Sequence, residues 1–435
     1  MNGCVMRSIT FALMMISWNL AAQTPLDTTR VITYYDSAQT IPKAKYFILD
    51  DDSTRAHGDY VRYFPDGSIS ARGVFDDGKM IGTFREFYPN GAVQRVIPYQ
   101  AGKKEGAVVV LTPTGDTLQT VHFQDDKMEG ELRAYHEDGS LKNKTTFVND
   151  KPDGLIESYY PNGNLREQLT YEQGKQQGPV RQFYEDGTLR NEGTYLNSNL
   201  EGLYTEYYPN EKIASQTSFR QGQRQGISRS YTPSGQLVVE EPYEDGFLDG
   251  PVRYFYPDGT PKAEGTYQAG KPTNEHREYF PNGARQQRTT YQRDTTVVEK
   301  YYQDQQLRNR QQRVDDKPAG RWQAYYSSGQ LRENLFYLEG KLSDTATYYH
   351  ENGIVQRIEV FKNGRRTQTT KTYYPSGQLE SETEYYAGVP QGDYRSYHEN
   401  GQLKEEGKYD GGEPAGTWKS YNEQGELLEE EKQPR

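Results

Sequence analysis

Six histidines stand at 57, 122, 136, 276, 350 and 398, and metal binding or proton transfer is the chemistry they could do. Three of them, His136, His350 and His398, fall where other copies of a repeat carry Tyr or Phe. Substitution for an aromatic therefore explains them better than a ligand set. Acidic turns at Asp76-Asp77-Gly78, Glu137-Asp138-Gly139 and Glu244-Asp245-Gly246 invite a calcium reading. They lack the alternating ligands of a calcium loop and sit where turn chemistry alone wants Asp and Gly. Asp50-Asp51-Asp52, after "YFIL", is a better candidate, but reads first as the solvated end of an N-terminal capping strand. Among 62 acidic residues, a pair of carboxylates carries no signal for acid–base catalysis. No Gly-rich phosphate loop, nucleophile elbow or zinc signature is present. These residues give no catalytic group, no metal and no cofactor, so the chain reads as a non-enzyme.

The aromatics have more to offer. The chain has 38 tyrosines, yet only 33% of its residues are hydrophobic and its mean hydropathy is −1.03. A disordered chain would lack the rings. Regularly spaced rings in so polar a chain imply order without a thick two-sided core.

The elements that position them repeat. Glycines at 58, 82, 106, 130, 154, 178, 202, 226 and 250 are 24 residues apart. The frame reaches 274, skips two residues to 296, and resumes at 320, 344, 368, 392 and 416, giving sixteen repeats. With the opening glycine as position one, position six is aromatic in fifteen repeats, position ten is Gly in fourteen and position eighteen is aromatic in fourteen. Each repeat reads as a β-hairpin. Pro-Asn-Gly, Pro-Asp-Gly or Glu-Asp-Gly supplies a turn whose last residue takes positive φ. A three-residue turn pairs position seven with eleven and six with twelve. Strict alternation then puts Tyr159, Leu165 and Tyr171 on one face, and Glu211 in place of the turn glycine predicts altered turn geometry there. Gly73, Gly193, Gly265 and Gly407, all at position sixteen, leave room for a neighbouring ring to lie across the backbone. The expected fold is all-β, an elongated single-layer antiparallel meander of about sixteen 24-residue hairpin repeats, on the order of 32 strands.

The pattern G-x-[aromatic]-x-x-Tyr-Tyr-Pro-Asn-Gly-x-Leu…Tyr-x-x-Gly-Lys-x-x-Gly resembles the MORN-repeat variant of YwqK-type antitoxin-like proteins. The resemblance covers nearly all of the chain after residue 57. It implies a single-layer β scaffold and, through the YwqK label, an antitoxin. The YD repeat of shell-forming toxin proteins fits less well, because Asp never follows the position-six residue here.

Residues 1–22 read as a secretory signal peptide, with Arg7, an apolar run over 9–20 and small residues before Gln23. The only cysteine, Cys4, lies within it, so the mature chain is expected to have no thiol or disulfide. Residues 23–57 read as a linker and capping strand, 58–295 as repeats one to ten, 296–319 as a degenerate joint and 320–435 as repeats twelve to sixteen. At the joint Asn274 and Thr296 replace opening glycines, Gln305 replaces the turn glycine and Arg313 the second aromatic, predicting a weak link between two sheet blocks.

A net charge of −11 argues against nucleic acid and anionic membranes as partners. Position seven is aromatic in ten repeats, and alternation points these rings away from the packing face. They read as cross-strand packing or as exposed platforms for an extended ligand; Tyr160, Tyr184, Tyr208, Tyr256, Tyr302 and Tyr326 are the candidates. The functional expectation is an exported, periplasmic or extracellular scaffold that binds protein or polysaccharide and does not insert into the membrane after signal cleavage. The alternative is an antitoxin-like or immunity protein that neutralises one specific partner.

Overall fold

The computed structural model describes residues 26–433; the expected signal peptide and its cleavage site lie outside them. The chain divides into two compact blocks, one ending at Gly163 and one beginning at Asn164. In each, antiparallel strands follow one another as hairpins, with no helix among the described residues. The described residues form forty strand segments, of which six are two-residue pieces such as Lys103–Lys104 and Asn199–Leu200. Set those pieces aside and the 32 expected strands remain, preceded by two more, Thr28–Tyr34 and Pro42–Leu49.

The first turn is built as expected. Phe64 N–H donates to Ser68 O at 2.7 Å, Gly67 N–H to Phe64 O at 2.9 Å, and Tyr63 pairs with Ile69. Glu211 does not alter it. That residue takes φ +62°, and its N–H donates to Tyr208 O at 2.9 Å, as glycine does elsewhere. The backbone contacts on both sides of the turn hold the left-handed conformation whatever the side chain.

Strict alternation fails beyond the turn. Tyr63 pairs with Ile69 but Arg62 pairs with Ala71, so position thirteen is an extra residue on its strand. The bulge reverses the faces. Positions three, five, fourteen, sixteen and eighteen share an inner face; two, four, six, fifteen and seventeen share an outer one. The position-eighteen ring therefore lies opposite the position-six ring, not beside it as strict alternation requires. Ring contacts along the inner face follow this assignment: Phe75 meets Tyr60 at 5.4 Å and Phe84 at 5.5 Å, and Phe84 meets Tyr99 at 5.3 Å. In the first block these rings surround buried Ile97, Val108 and Val121. No large side chain among the described residues is fully buried, as a one-sided core dictates.

The second turn brings a larger irregularity. Phe75 pairs with Met80 and Val74 with Ile81, yet Arg72 pairs with Arg85, so Gly73 faces three residues, 82–84. The opening glycine, at φ +65° in Gly82, is the first of them. Asn274, Asp344 and Gln368 hold the same conformation without being glycine. A Cβ on Gly73 would sit 2.4 Å from the Phe84 ring. Tyr204 covers Gly193, His276 covers Gly265 and Trp418 covers Gly407 in the same way, which is the role expected of position sixteen.

The joint at 296–319 is not a gap. Tyr291, Thr290, Thr289 and Arg288 pair one to one with Thr296, Val297, Val298 and Glu299. The two missing residues are the two extra residues of the bulge, and Thr296 replaces a glycine because no left-handed residue is needed there. Pairing continues unbroken through Leu307–Val314 to Gly320–Tyr325.

The segment before Gly58 is a hairpin rather than a single capping strand. Tyr34 pairs with Pro42 after the same register shift, and Tyr35 N–H donates to Ile41 O at 2.9 Å. Asp50 and Asp51, at φ +51° and +55°, open its second turn. Asp50 pairs with Arg55 at 2.5 Å, and Asp51 accepts a hydrogen bond from Thr29 Oγ1 at 2.5 Å. This is turn chemistry.

Candidate binding surface

Position seven lies just past the first strand of each hairpin, where the chain leaves the sheet. The expected ligand residues stand there, and they are half-buried rather than a row of exposed rings. Their hydroxyls reach into the next repeat. Tyr184 donates to Tyr207 O, Tyr208 to Tyr231 O and Tyr256 to Tyr279 O, each at 2.7 Å. Tyr302 and Tyr326 do the same to Tyr325 O and Tyr349 O at 2.9 and 2.8 Å. Tyr160 occupies the same position at the end of the first block and is also half-buried. His136, His350 and His398 place Nε2 on the equivalent carbonyls of Tyr159, Tyr373 and Tyr421 at 3.1, 2.8 and 2.8 Å. The histidines substitute for tyrosine by making its hydrogen bond. Arg190, Lys262 and Arg308 lie 5.8–6.0 Å from the ring centres of Tyr184, Tyr256 and Tyr302. The geometry makes position seven a latch between repeats.

The outer face carries charge. Glu240 stands between Arg229 at 3.1 Å and Arg253 at 3.3 Å, Arg277 reaches Glu264 at 3.2 Å, and Glu299 stands between Arg288 at 2.6 Å and Arg310 at 3.3 Å. All these residues occupy positions four and fifteen. Pairs whose two partners are exposed contribute about 0–1 kcal/mol each, so most of the row sets charge balance more than stability; Glu299 is buried and depends on its two arginines. Position-six tyrosines join it: Tyr279 OH donates to Glu264 at 2.7 Å and Tyr207 OH to Glu192 at 2.9 Å. Burial, then the neighbouring carboxylate, holds the Tyr279 and Tyr207 phenols above their ordinary range. Tyr159 is pushed up to about 12 by burial and then by Glu157. The Tyr279 hydrogen bond and then Arg277 hold Glu264 below the usual carboxylate range.

Beside this charged row, positions two and seventeen form another outer row. From Pro179 through Thr194, Leu203, Ser218, Ile227, Pro242 and Pro251 to Thr266 it holds no charge. Leu203 is 54% exposed and Ile227 46%. Sequence reading missed this row because the bulge at thirteen hides which residues share a face. It also missed the residue just before each opening glycine. Glu105, Glu129, Gln177 and Glu201 accept hydrogen bonds from backbone N–H groups of the next second turn, at 2.8–2.9 Å. The recurrent acid or amide before that glycine was the available signal.

Among the described residues no group of three His, Cys, Asp or Glu gathers closely enough to hold a metal ion.

A family model described as "MORN repeat variant" matches eleven segments: 80–101, 128–149, 152–173, 176–197, 200–221, 224–245, 248–269, 319–342, 345–363, 369–385 and 390–410. Together they cover more than half of the chain. No curated protein matches. Among solved structures, 91% of the chain is similar to a TcdB2-TccC3-Cdc42 structure at 12% identity and a TM-score of 0.13. A TcdB2-TccC3 structure matches over 92% of the chain at 11% identity and a TM-score of 0.14. The chain spans 28% and 27% of the length of those two.

Proposed function

The chain belongs to the MORN repeat variant family, and from that membership we propose an exported, non-enzymatic scaffold that binds a protein or polysaccharide along its sheet. One observation carries the reading: the uncharged outer row from Pro179 to Thr266, with Leu203 and Ile227 more exposed than packing needs. An exposed apolar strip rimmed by charged side chains suits a binding surface. The apolar run over 9–20 supports export. An antitoxin-like role, occluding one partner protein, is the alternative that the YwqK resemblance supports.

The test is a pull-down from the envelope fraction with wild type and with a Leu203→Asp/Ile227→Asp variant. The wild type is expected to retain a ligand that the variant loses while both melt alike. Identical capture by the two proteins would remove the outer row from the reading. Capture of one small toxic protein in place of an envelope ligand would favour the alternative.

A further inference from the structure

Lysine or arginine often stands at position twenty-two, just after the second turn, and the repeat has a standing partner for it. Lys103 Nζ lies 2.9 Å from Asp125 Oδ1, and Lys127 Nζ lies 3.1 Å from Asn149 Oδ1, each partner 22 residues ahead in the next second turn. In the second block no carboxylate stands 22 residues ahead of Lys341 or Arg365. The residue 22 ahead of Lys341 is Asn363, and the residue 22 ahead of Arg365 is Ala387. The turns still stack there: a Cβ on Gly364 would lie 3.6 Å from Lys341 Cβ, and one on Gly388 3.9 Å from Arg365 Cβ. The geometry is kept and the counter-charge is gone.

Lys362 pairs across the strand with Arg365, Leu338 with Lys341 and Tyr386 with Val389. Lys341, Lys362, Arg365 and Tyr386 line one recess of about 530 Å³. Among the described residues none of the three cations lies within ion-pair distance of a carboxylate, whereas Arg366 beside them is held by Glu359 at 2.6 Å. Tyr386 is 72% exposed and Leu338 57%, so flat apolar surface alternates with unpaired charge. An acidic chain gains nothing in stability from cations gathered without partners, since like charges repel.

We propose that this edge of the second block binds an acidic polysaccharide, with uronate carboxylates on Lys341, Lys362 and Arg365 and a sugar ring stacked on Tyr386. The backbone of these strands is already paired within the sheet, so a peptide cannot add as a further strand. Cross-strand side chains such as Lys362 and Arg365 stand about 5 Å apart, a spacing that suits successive units of an extended sugar chain. The inference rests on the scaffold reading but uses a different surface from Leu203 and Ile227.

The experiment measures binding of full-length protein to labelled oligogalacturonate, to a cello-oligosaccharide of equal length and to poly-glutamate of equal charge. Oligogalacturonate is expected to bind, and to bind more weakly as salt rises. Lys362→Glu/Arg365→Glu should weaken binding about tenfold or more, because it turns attraction into repulsion at the site. Tyr386→Ala should weaken it several-fold without changing the salt dependence, and Lys103→Glu, in the partnered edge, should leave it unchanged. Failure to bind oligogalacturonate, full affinity in the charge-reversed variant, or equal affinity for poly-glutamate independent of Tyr386 would each overturn the proposal. Each would leave the envelope pull-down and its outer-row variant standing as a separate test.

Discussion

The two ends of the hairpin are built by different rules. At the first turn one repeat after another makes the same backbone bonds, and left-handed φ persists even where Glu211 and Gln305 replace glycine, at +62° and +72°. The latch across that edge is made by tyrosine in some repeats and by histidine in three, each to the equivalent carbonyl of the next repeat. At the second turn the bulge is present or absent, the capping acid comes and goes, and the cation at position twenty-two has a counter-charge or lacks one. The first edge fixes how repeats stack. The second is free to vary without disturbing the stack, which is where surface specificity can accumulate at little cost in stability.

The sharpest way to break the comparison is by deletion. Removing Gly82 and Thr83 together should convert the second repeat to the bulge-free pairing seen at 288–299, with Phe84 directly opposite Gly73. Phe84 stays on the inner face because two residues preserve alternation. Removing Gly82 alone moves Phe84 to the outer face and should cost about 3 kcal/mol or more, the loss of one buried ring. Denaturant melts of both deletions check this. Equal destabilisation would mean that the bulge is needed for itself. The same deletion pair applied at the first turn should be damaging in both forms, since no described repeat tolerates a shorter one.

A smaller effect separates the two kinds of latch. Tyr374 OH donates to Tyr397 O at 2.9 Å, and burial, then Glu380 and Glu399, raises its pKa above the ordinary 10.0. A raised pKa means that the neutral, donating form is the one the fold prefers. The stability it contributes is complete below the unfolded value of 10.0 and is lost as pH rises through the folded value. A lost hydrogen bond of this kind is worth about 1 kcal/mol. Neutral imidazole still carries an N–H in alkali, so the flanking latches at His350 and His398 should persist. Hydrogen exchange above pH 10 should therefore open the Tyr397 edge before the Tyr373 edge, and Tyr374→His should remove the difference. Simultaneous opening would show that the latches do not act locally.

What was legible in the sequence follows the same division. The first turn, its pairing and the role of Gly73 beneath a ring could be read directly, because glycine at a fixed position reports a backbone requirement. The bulge at position thirteen could not, since Arg62 facing Ala71 needs no special residue and leaves only a register change. One unrecognised residue was enough to assign the position-eighteen rings to the wrong face. At the joint the missing glycine has a backbone explanation. Loss of glycine looked like decay, when the two-residue loss had removed the need for it. The N-terminal hairpin escaped the 24-residue frame because its first turn is longer, Tyr35 bonding to Ile41 where Phe64 bonds to Ser68, and because a bulge follows its second turn, Leu49 pairing with Asp52 but Ile48 with Ala56. The Tyr34-Tyr35 pair, matching the paired aromatics of later repeats, was its one remaining signal, and Tyr35 OH indeed reaches Tyr63 O at 2.8 Å.

The smallest effect is the most direct test of the first edge. Glu211 holds a left-handed φ of +62° that its backbone partners impose and its side chain does not repay, because among the described residues no hydrogen bond or ion pair involves its carboxylate. An L-residue there costs about 1–2 kcal/mol relative to glycine. Glycine returns part of that through the greater freedom of its unfolded chain, about 0.5–1 kcal/mol. Glu211→Gly should therefore stabilise the seventh repeat by about 0.5–1 kcal/mol, read as slower exchange of the Tyr208 and Glu211 amides and a small rise in Tm. The reciprocal change Gly187→Glu, one repeat earlier at φ +91°, should destabilise by a similar or larger amount. Should Glu211→Gly lower stability, the turn at 208–212 would owe its shape to the glutamate itself, and the uniformity of the first edge would be chemical rather than imposed by the stack.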